Sequence, residues 1–198
     1  MYKIGLTGSM GSGKSTVREI LAQKGFATID ADSLAKEIIK IDPQTIEKIR
    51  AEFGPDVYDN HGELMPTILA EKAFGDIAKV NKLNEIVHPR VFEKVDEQIA
   101  VLQKDGETLA FIEAALFFET GWDKQMDLMI TVSAPQIVRI KRIQKRSGLQ
   151  EEQIKARLLH QLPDSEKVER ADIVFLNDSS LDHLHDLVET FLSEHELI

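Results

Sequence analysis

The residues best suited to chemistry lie near the start of the chain. Gly8-Ser9-Met10-Gly11-Ser12-Gly13-Lys14-Ser15 follows the spacing G-x-x-x-x-G-K-[ST]. Its glycines let the backbone curl so that successive N–H groups face inward, as a phosphate cradle requires. In such a loop Lys14 reaches the β- and γ-phosphates of a nucleoside triphosphate, and the Ser15 hydroxyl can ligate Mg²⁺. A helix beginning there adds the positive end of its dipole. A glycine-rich turn that binds nothing would show the same bare pattern. The context favours the phosphate loop, because an apolar run precedes it and an amphipathic segment follows.

Other candidates lie further along. Asp30 and Asp32 stand two residues apart at the end of an apolar run, so both can point to one side. A carboxylate there could orient a hydroxyl nucleophile and take its proton. Asp32 could instead cap the following helix. Positions 139–146 hold five basic residues, with Arg139, Arg142 and Arg146 at helical spacing. They could close over transferring phosphates or form a solvated face. In a chain of net charge −10 such concentration favours the phosphate role. His88-Pro89 either touches a substrate or marks a structural boundary. Arg157 either meets adenine or a phosphate, or makes a surface ion pair. Glu119 either marks an acceptor pocket or ends a strand. Phe111, Phe117 and Phe118 read as core.

A phosphate loop names a ligand and not a reaction. The nearest approach to the guanine-binding N-K-x-D pattern is Asn81-Lys82-Leu83-Asn84, which lacks the aspartate. The late basic helix points to a small-molecule kinase, which needs a lid to exclude water. A nucleoside or nucleotide kinase and a non-catalytic nucleotide-binding regulator remain as alternatives.

The elements that must position these groups follow from the apolar pattern. Strands are predicted at residues 2–7, 26–30, 108–115, 128–132 and 173–176. Helices are predicted at 15–24, at 33–41 with Ser33 as cap, from Pro135, at 151–161, and along Leu181, Leu184, Val188 and Phe191. Residues 44–104 read as helical, with Pro66 opening one helix and Pro89 breaking another. At 198 residues one domain with inserted subregions is expected. The absence of cysteine excludes disulfides, thiolate metal sites and a cysteine nucleophile. The net charge of −10 argues against duplex binding. No apolar run is long enough to span a bilayer and no signal-peptide core is visible, so a cytoplasmic enzyme without a membrane association is expected.

Several motifs recur in a fixed order. The loop reads Leu6-Thr7 through Ser15-Thr16. It is followed by Ile29-Asp30-Ala31-Asp32, His88-Pro89, Phe118-Glu119-Thr120, Arg142 with Arg146, Arg157 with Gln161, and Ala171-Asp172 with Asn177. In this ordered set the sequence resembles the dephospho-coenzyme A kinase family, with its I-D-A-D, H-P, F-E-T, R-x-x-x-R, R-x-x-x-Q and A-D-x-V-x-x-N segments. It departs at Glu113-Ala114-Ala115, where the family usually has D-I-P, at Arg139, where glutamine is common, and at Ser179, often glycine.

The resemblance implies an α/β phosphate-loop NTPase fold of three layers. A five-stranded parallel sheet would carry a helical substrate-binding insertion (33–104) and a lid (136–164) within one domain, 1–198. It implies phosphorylation of the ribose 3′-hydroxyl of dephospho-coenzyme A by ATP with Mg²⁺, the last step of coenzyme A synthesis, with no obligate protein partner. Gly11, Ser12, Gly13, Lys14, Ser15, Thr16, Arg142, Arg146 and Asn177 would bind ATP. Asp30, Asp32, His88, Glu119, Arg157 and Gln161 would bind the acceptor. Lys14, Arg142 and Asp32, as the base, would be catalytic. Ser15 would ligate the metal, with Glu113 acting through a water.

Overall fold

A computed structural model describes residues 1–73, 75–159 and 161–197. In chain order the elements are β1 (Tyr2–Thr7), α1 (Lys14–Gln23), β2 (Ala27–Asp30), α2 (Ala31–Ile41), α3 (Pro43–Phe53), α4 (Pro66–Ala73) and α5 (Ile77–Lys104). Then come β3 (Leu109–Glu113), α6 (Phe117–Thr120), β4 (Leu128–Ser133), α7 (Gln136–Ser147), α8 (Glu151–Leu158), α9 (Asp164–Arg170), β5 (Ile173–Leu176) and α10 (Leu181–Glu194). The chain divides into two compact units, Met1–Asp30 with Leu102–Ile198, and Ala31–Val101.

The first unit is built on the sheet. Its strands run in the order β2-β3-β1-β4-β5, and every neighbouring pair is parallel. Parallel strands covered on both faces read as continuous apolar runs, which is why they were visible in the sequence. Ile4, Leu6, Phe111, Ile130 and Val132 of the central strands pack with Val17, Ile20 and Leu21 of α1 and Leu184, Val188, Phe191 and Leu192 of α10. Each such side chain, fully buried, contributes about 1.5–3 kcal/mol. The chain winds from β1 towards β2 and β3 on one side, then towards β4 and β5 on the other. That reversal makes the carboxyl end of β1 the switch point where open α/β sheets bind ligands. The register sets Asp30 beside Glu113 and Glu113 beside Leu6, so three strands end in one row.

The second unit is helical. Asp42 caps α3, its carboxylate accepting from the Thr45 amide at 3.0 Å and hydroxyl at 2.8 Å, with Pro43 in the first turn. Arg90 binds the other Asp42 oxygen at 3.0 Å. These bonds and the Arg90 charge, against the opposing effect of burial, hold the Asp42 carboxyl below the usual aspartate value.

Two sequence expectations change, and two short helices are added. Pro89 does not break α5, which runs unbroken for 28 residues. Proline removes one backbone bond and crowds the preceding turn, a cost of about 3 kcal/mol. Pro89 lies on the exposed side, while Val80, Leu83, Val87, Val91, Val95 and Ile99 bury a continuous stripe on both sides of it. Burial of that stripe outweighs the proline. Ser33 does not cap α2, because the helix already starts at Ala31. Asp32 accordingly lies in the first turn, where its charge faces the positive helix end. The helices α6 and α9 were missed. The first has four residues, and the second buries a lysine where a periodic pattern needs an apolar residue.

Candidate active site

The loop after β1 turns inward through its glycines. Gly11 has φ +80° and Gly13 φ +107°, conformations that L side chains rarely adopt. A Cβ on Gly13 would collide with the Asn177 amide, and one on Gly11 would approach the Arg139 carbonyl to 2.8 Å. The Ser12 amide donates to the Ser9 carbonyl at 3.1 Å, closing the turn. The Ser12 carbonyl accepts from Asn177 Nδ2 at 2.7 Å and from Arg142 Nη1 at 3.4 Å, while Arg142 Nη2 donates to Asn177 Oδ1 at 3.1 Å. Residues from β5's end and from α7 thus fix one peptide of the loop. Lys14, the first residue of α1, is 8% exposed. The Ser12 hydroxyl is buried with no hydrogen-bond partner among the described residues. A buried donor of this kind suits an absent acceptor such as a phosphate oxygen.

Beside the loop, Asp30 and Glu113 end adjacent strands. Arg18, one turn beyond Lys14, spans them. Its Nε donates to Glu113 Oε2 at 2.7 Å, and its Nη2 lies 3.4 Å from Asp30 Oδ2. Burial pushes the Glu113 carboxyl above the usual glutamate value, opposed by the Lys14 and Arg18 charges and reinforced by Asp30. The sequence reading missed Arg18, although its i, i+4 spacing from Lys14 placed both on one helical face.

The arginines of α7 part company. Arg139 is buried and donates to the Ala134 carbonyl at 2.9 Å, so the solvated-face reading of the basic run does not hold for it. Arg142 meets the phosphate loop. Arg146 and, on α8, Arg157 are exposed. The two helices pack through Ile140, Ile143 and Ile154, with Met10 of the phosphate loop against them.

Glu119 and Gln161 hold protein groups. Gln161 Oε1 accepts the Met10 amide at 2.9 Å. Glu119 Oε1 accepts the Leu162 amide at 2.8 Å and pairs with Lys167 Nζ at 2.7 Å. Glu119 lies in α6 and does not end a strand. Lys167 is wholly buried, donates to the Ala115 carbonyl at 2.7 Å, and has its ammonium pushed below the usual lysine value by burial, against the Glu119 charge. No motif announced Lys167 or Asp164. In the helical unit, His88 lies on α5 with its ring 6.0 Å from that of Phe92.

The parallel sheet and the inward-turned loop define a phosphate-loop α/β fold. Shikimate kinase from Aquifex aeolicus shares the fold, with a TM-score of 0.54 at 16% identity, covering 98% of both chains. The family model for dephospho-CoA kinase matches residues 2–183, and the chain belongs to that family. A dephospho-CoA kinase of Corynebacterium glutamicum is 36% identical over 194 residues, covering 98% of this chain and 100% of the relative. One from Chlorobaculum tepidum is 38% identical, covering 94% and 91%. The structure of dephospho-CoA kinase from Campylobacter jejuni aligns with a TM-score of 0.70 at 30% identity, covering 97% and 96%.

Proposed function

We propose that the protein transfers the γ-phosphoryl group of ATP to the ribose 3′-hydroxyl of dephospho-coenzyme A. The observation that carries this reading is the convergence of Arg142 and Asn177 on the inward-turned loop that leads into Lys14, in a chain of this family. Gly11, Ser12, Gly13, Ser15 and Thr16 hold the phosphates, chiefly through backbone N–H groups. Lys14 and Arg142 bring positive charge to the migrating phosphoryl group, where positioning and electrostatics carry most of the catalysis. Arg146 and Arg157 remain available to the nucleotide or acceptor. Asp32 accepts the hydroxyl proton, with Asp30 orienting the acceptor and His88 contacting it. Glu119, Gln161 and Asn177 act through the backbone groups they hold.

The donors beside the loop are all hard oxygens: the Ser15 hydroxyl and the Asp30 and Glu113 carboxylates. They suit Mg²⁺, which keeps waters and takes phosphate oxygens. When bound, the ion neutralises charge on the β- and γ-phosphates. The whole chain acts as one kinase domain, with residues 33–104 as the acceptor region and 136–164 as the lid. Its place is the cytoplasm. No helix among the described residues is long and apolar enough to cross a membrane.

The test is an acceptor screen. ATP turnover should depend on added dephospho-coenzyme A and stay low with nucleosides or nucleoside monophosphates. Preference for a nucleoside overturns the acceptor; turnover indifferent to every acceptor overturns the kinase.

A further inference from the structure

Asp164 lies where three segments meet. Its Oδ1 accepts the Ser9 hydroxyl of the phosphate loop at 2.8 Å, and its Oδ2 accepts the Ser133 hydroxyl at 2.5 Å. Ser133 ends β4, just before α7 begins. Asp164 itself starts α9, in the stretch that follows α8. The two serines, 2% and 8% exposed, sit at the phosphate loop and at the first root of the α7–α8 hairpin. The carboxylate belongs to its second root. The same stretch is tied down at the Met10 amide by Gln161 and at Glu119 by the Leu162 amide.

Two hydroxyl-to-carboxylate bonds are charge-assisted and stronger than neutral ones. A carboxylate shared between two buried hydroxyls fixes three backbone segments with one side chain. The hairpin carries Arg142, which must reach the phosphate loop with sub-ångström precision to act on a transferring group. The hairpin's own packing meets the loop at Met10, against Ile140, Ile143 and Ile154, and Asp164 adds the contact at Ser9.

We propose that Asp164 is a positioning residue that braces both roots of the α7–α8 hairpin to Ser9, holding Arg142 and the loop amides in one arrangement. This rests on the proposed kinase reading for its consequence in catalysis, but not for its consequence in ATP binding. The brace pre-organises the ATP site, so its removal weakens ATP binding as well as slowing transfer.

The experiment is a double-mutant cycle on directly measured ATP affinity, using the full chain, with transfer to dephospho-coenzyme A as a second readout. Asp164→Ala should weaken ATP binding roughly tenfold and lower kcat further, through misplacement of Arg142. Ser9→Ala should do much the same alone, yet add less than about twofold in the Asp164→Ala background. Asp164→Asn, which can still accept from one serine and donate to the other, should restore most of the loss. Equal Ser9→Ala effects in both backgrounds overturn the brace. So does an Asp164→Ala protein that melts earlier but binds ATP and turns over normally. If Asp164→Ala does not fold, the Ser9→Ala and Asp164→Asn proteins decide: unchanged ATP affinity in Ser9→Ala overturns the proposal. The affinity cycle needs no acceptor. A chain that binds ATP through the brace but ignores dephospho-coenzyme A would overturn the function and leave this inference standing.

Discussion

Lys14 and Lys167 are both buried in the sheet unit, and the regions around them are built for opposite ends. The Lys167 charge is consumed inside the protein, by Glu119 and the Ala115 carbonyl. Its surroundings hold α6, α9 and the stretch after α8 together. Lys14 stands at the mouth of a loop with inward-turned glycines and an unpartnered Ser12 hydroxyl. Burial of a charge is expensive unless something meets it. Around Lys167 the protein supplies a direct ion pair; around Lys14 the Glu113 carboxyl lies close enough to feel its charge, beside a loop whose Ser12 hydroxyl has no partner among the described residues. The arginines of α7 repeat the lesson, with Arg139 given to the Ala134 carbonyl and Arg142 to the phosphate loop. A run of basic residues is therefore not one functional unit.

This contrast breaks first at Lys14. Lys14→Ala should lower turnover roughly a thousand-fold or more, since the charge that meets the migrating group is gone. Its melting temperature should hardly move. Arg142→Ala should follow, with kcat down roughly a hundred- to a thousand-fold by analogy with losing one oxyanion donor. The KM for ATP should rise less, whereas Arg139→Ala should chiefly lower the melting temperature.

Asp32→Asn should slow single-turnover transfer by roughly a hundred-fold and leave ATP affinity intact. Because Asp32 sits in the first turn of α2, this change should also remove about 0.3–1 kcal/mol of dipole stabilisation. Wild-type transfer in that variant would exclude Asp32 as the base. Lys167→Met sharpens the other side of the contrast. It strands a largely buried Glu119, so unfolding in denaturant should become easier by about 3 kcal/mol. Adding Glu119→Gln should recover part of the loss.

The smallest effect concerns Glu113. Its carboxyl is raised in the folded protein, so the folded state holds that proton more tightly than the unfolded chain. The associated stability is present below the ordinary glutamate pKa and is lost as pH rises through the raised value. Glu113→Gln should flatten that segment of a stability-versus-pH curve measured by denaturant titration.

The sequence disclosed what depends on local pattern. The five strands, the phosphate loop and the C-terminal helix follow from apolar runs, glycine spacing and helical periodicity, and the structure has them. Strand order was not legible, because the pairing of β2 with β3 across the whole helical insertion has no local signature. The continuity of α5 through Pro89 depended on burial of a stripe that propensity does not see. At the site, Lys14 was legible from its motif, whereas Lys167 and Asp164 were not. Their roles arise from tertiary partners more than thirty residues away, such as Glu119 and Ser133.

The most direct test of the account is single-turnover phosphoryl transfer from ATP to dephospho-coenzyme A, comparing the wild-type and Lys14→Ala proteins, with the position of the new phosphate determined. The account expects the wild-type protein to yield a ribose 3′-phosphate, and the Lys14→Ala protein to remain folded and form almost none. Transfer at a near-normal rate without Lys14, or a wild-type product phosphorylated elsewhere, would contradict it.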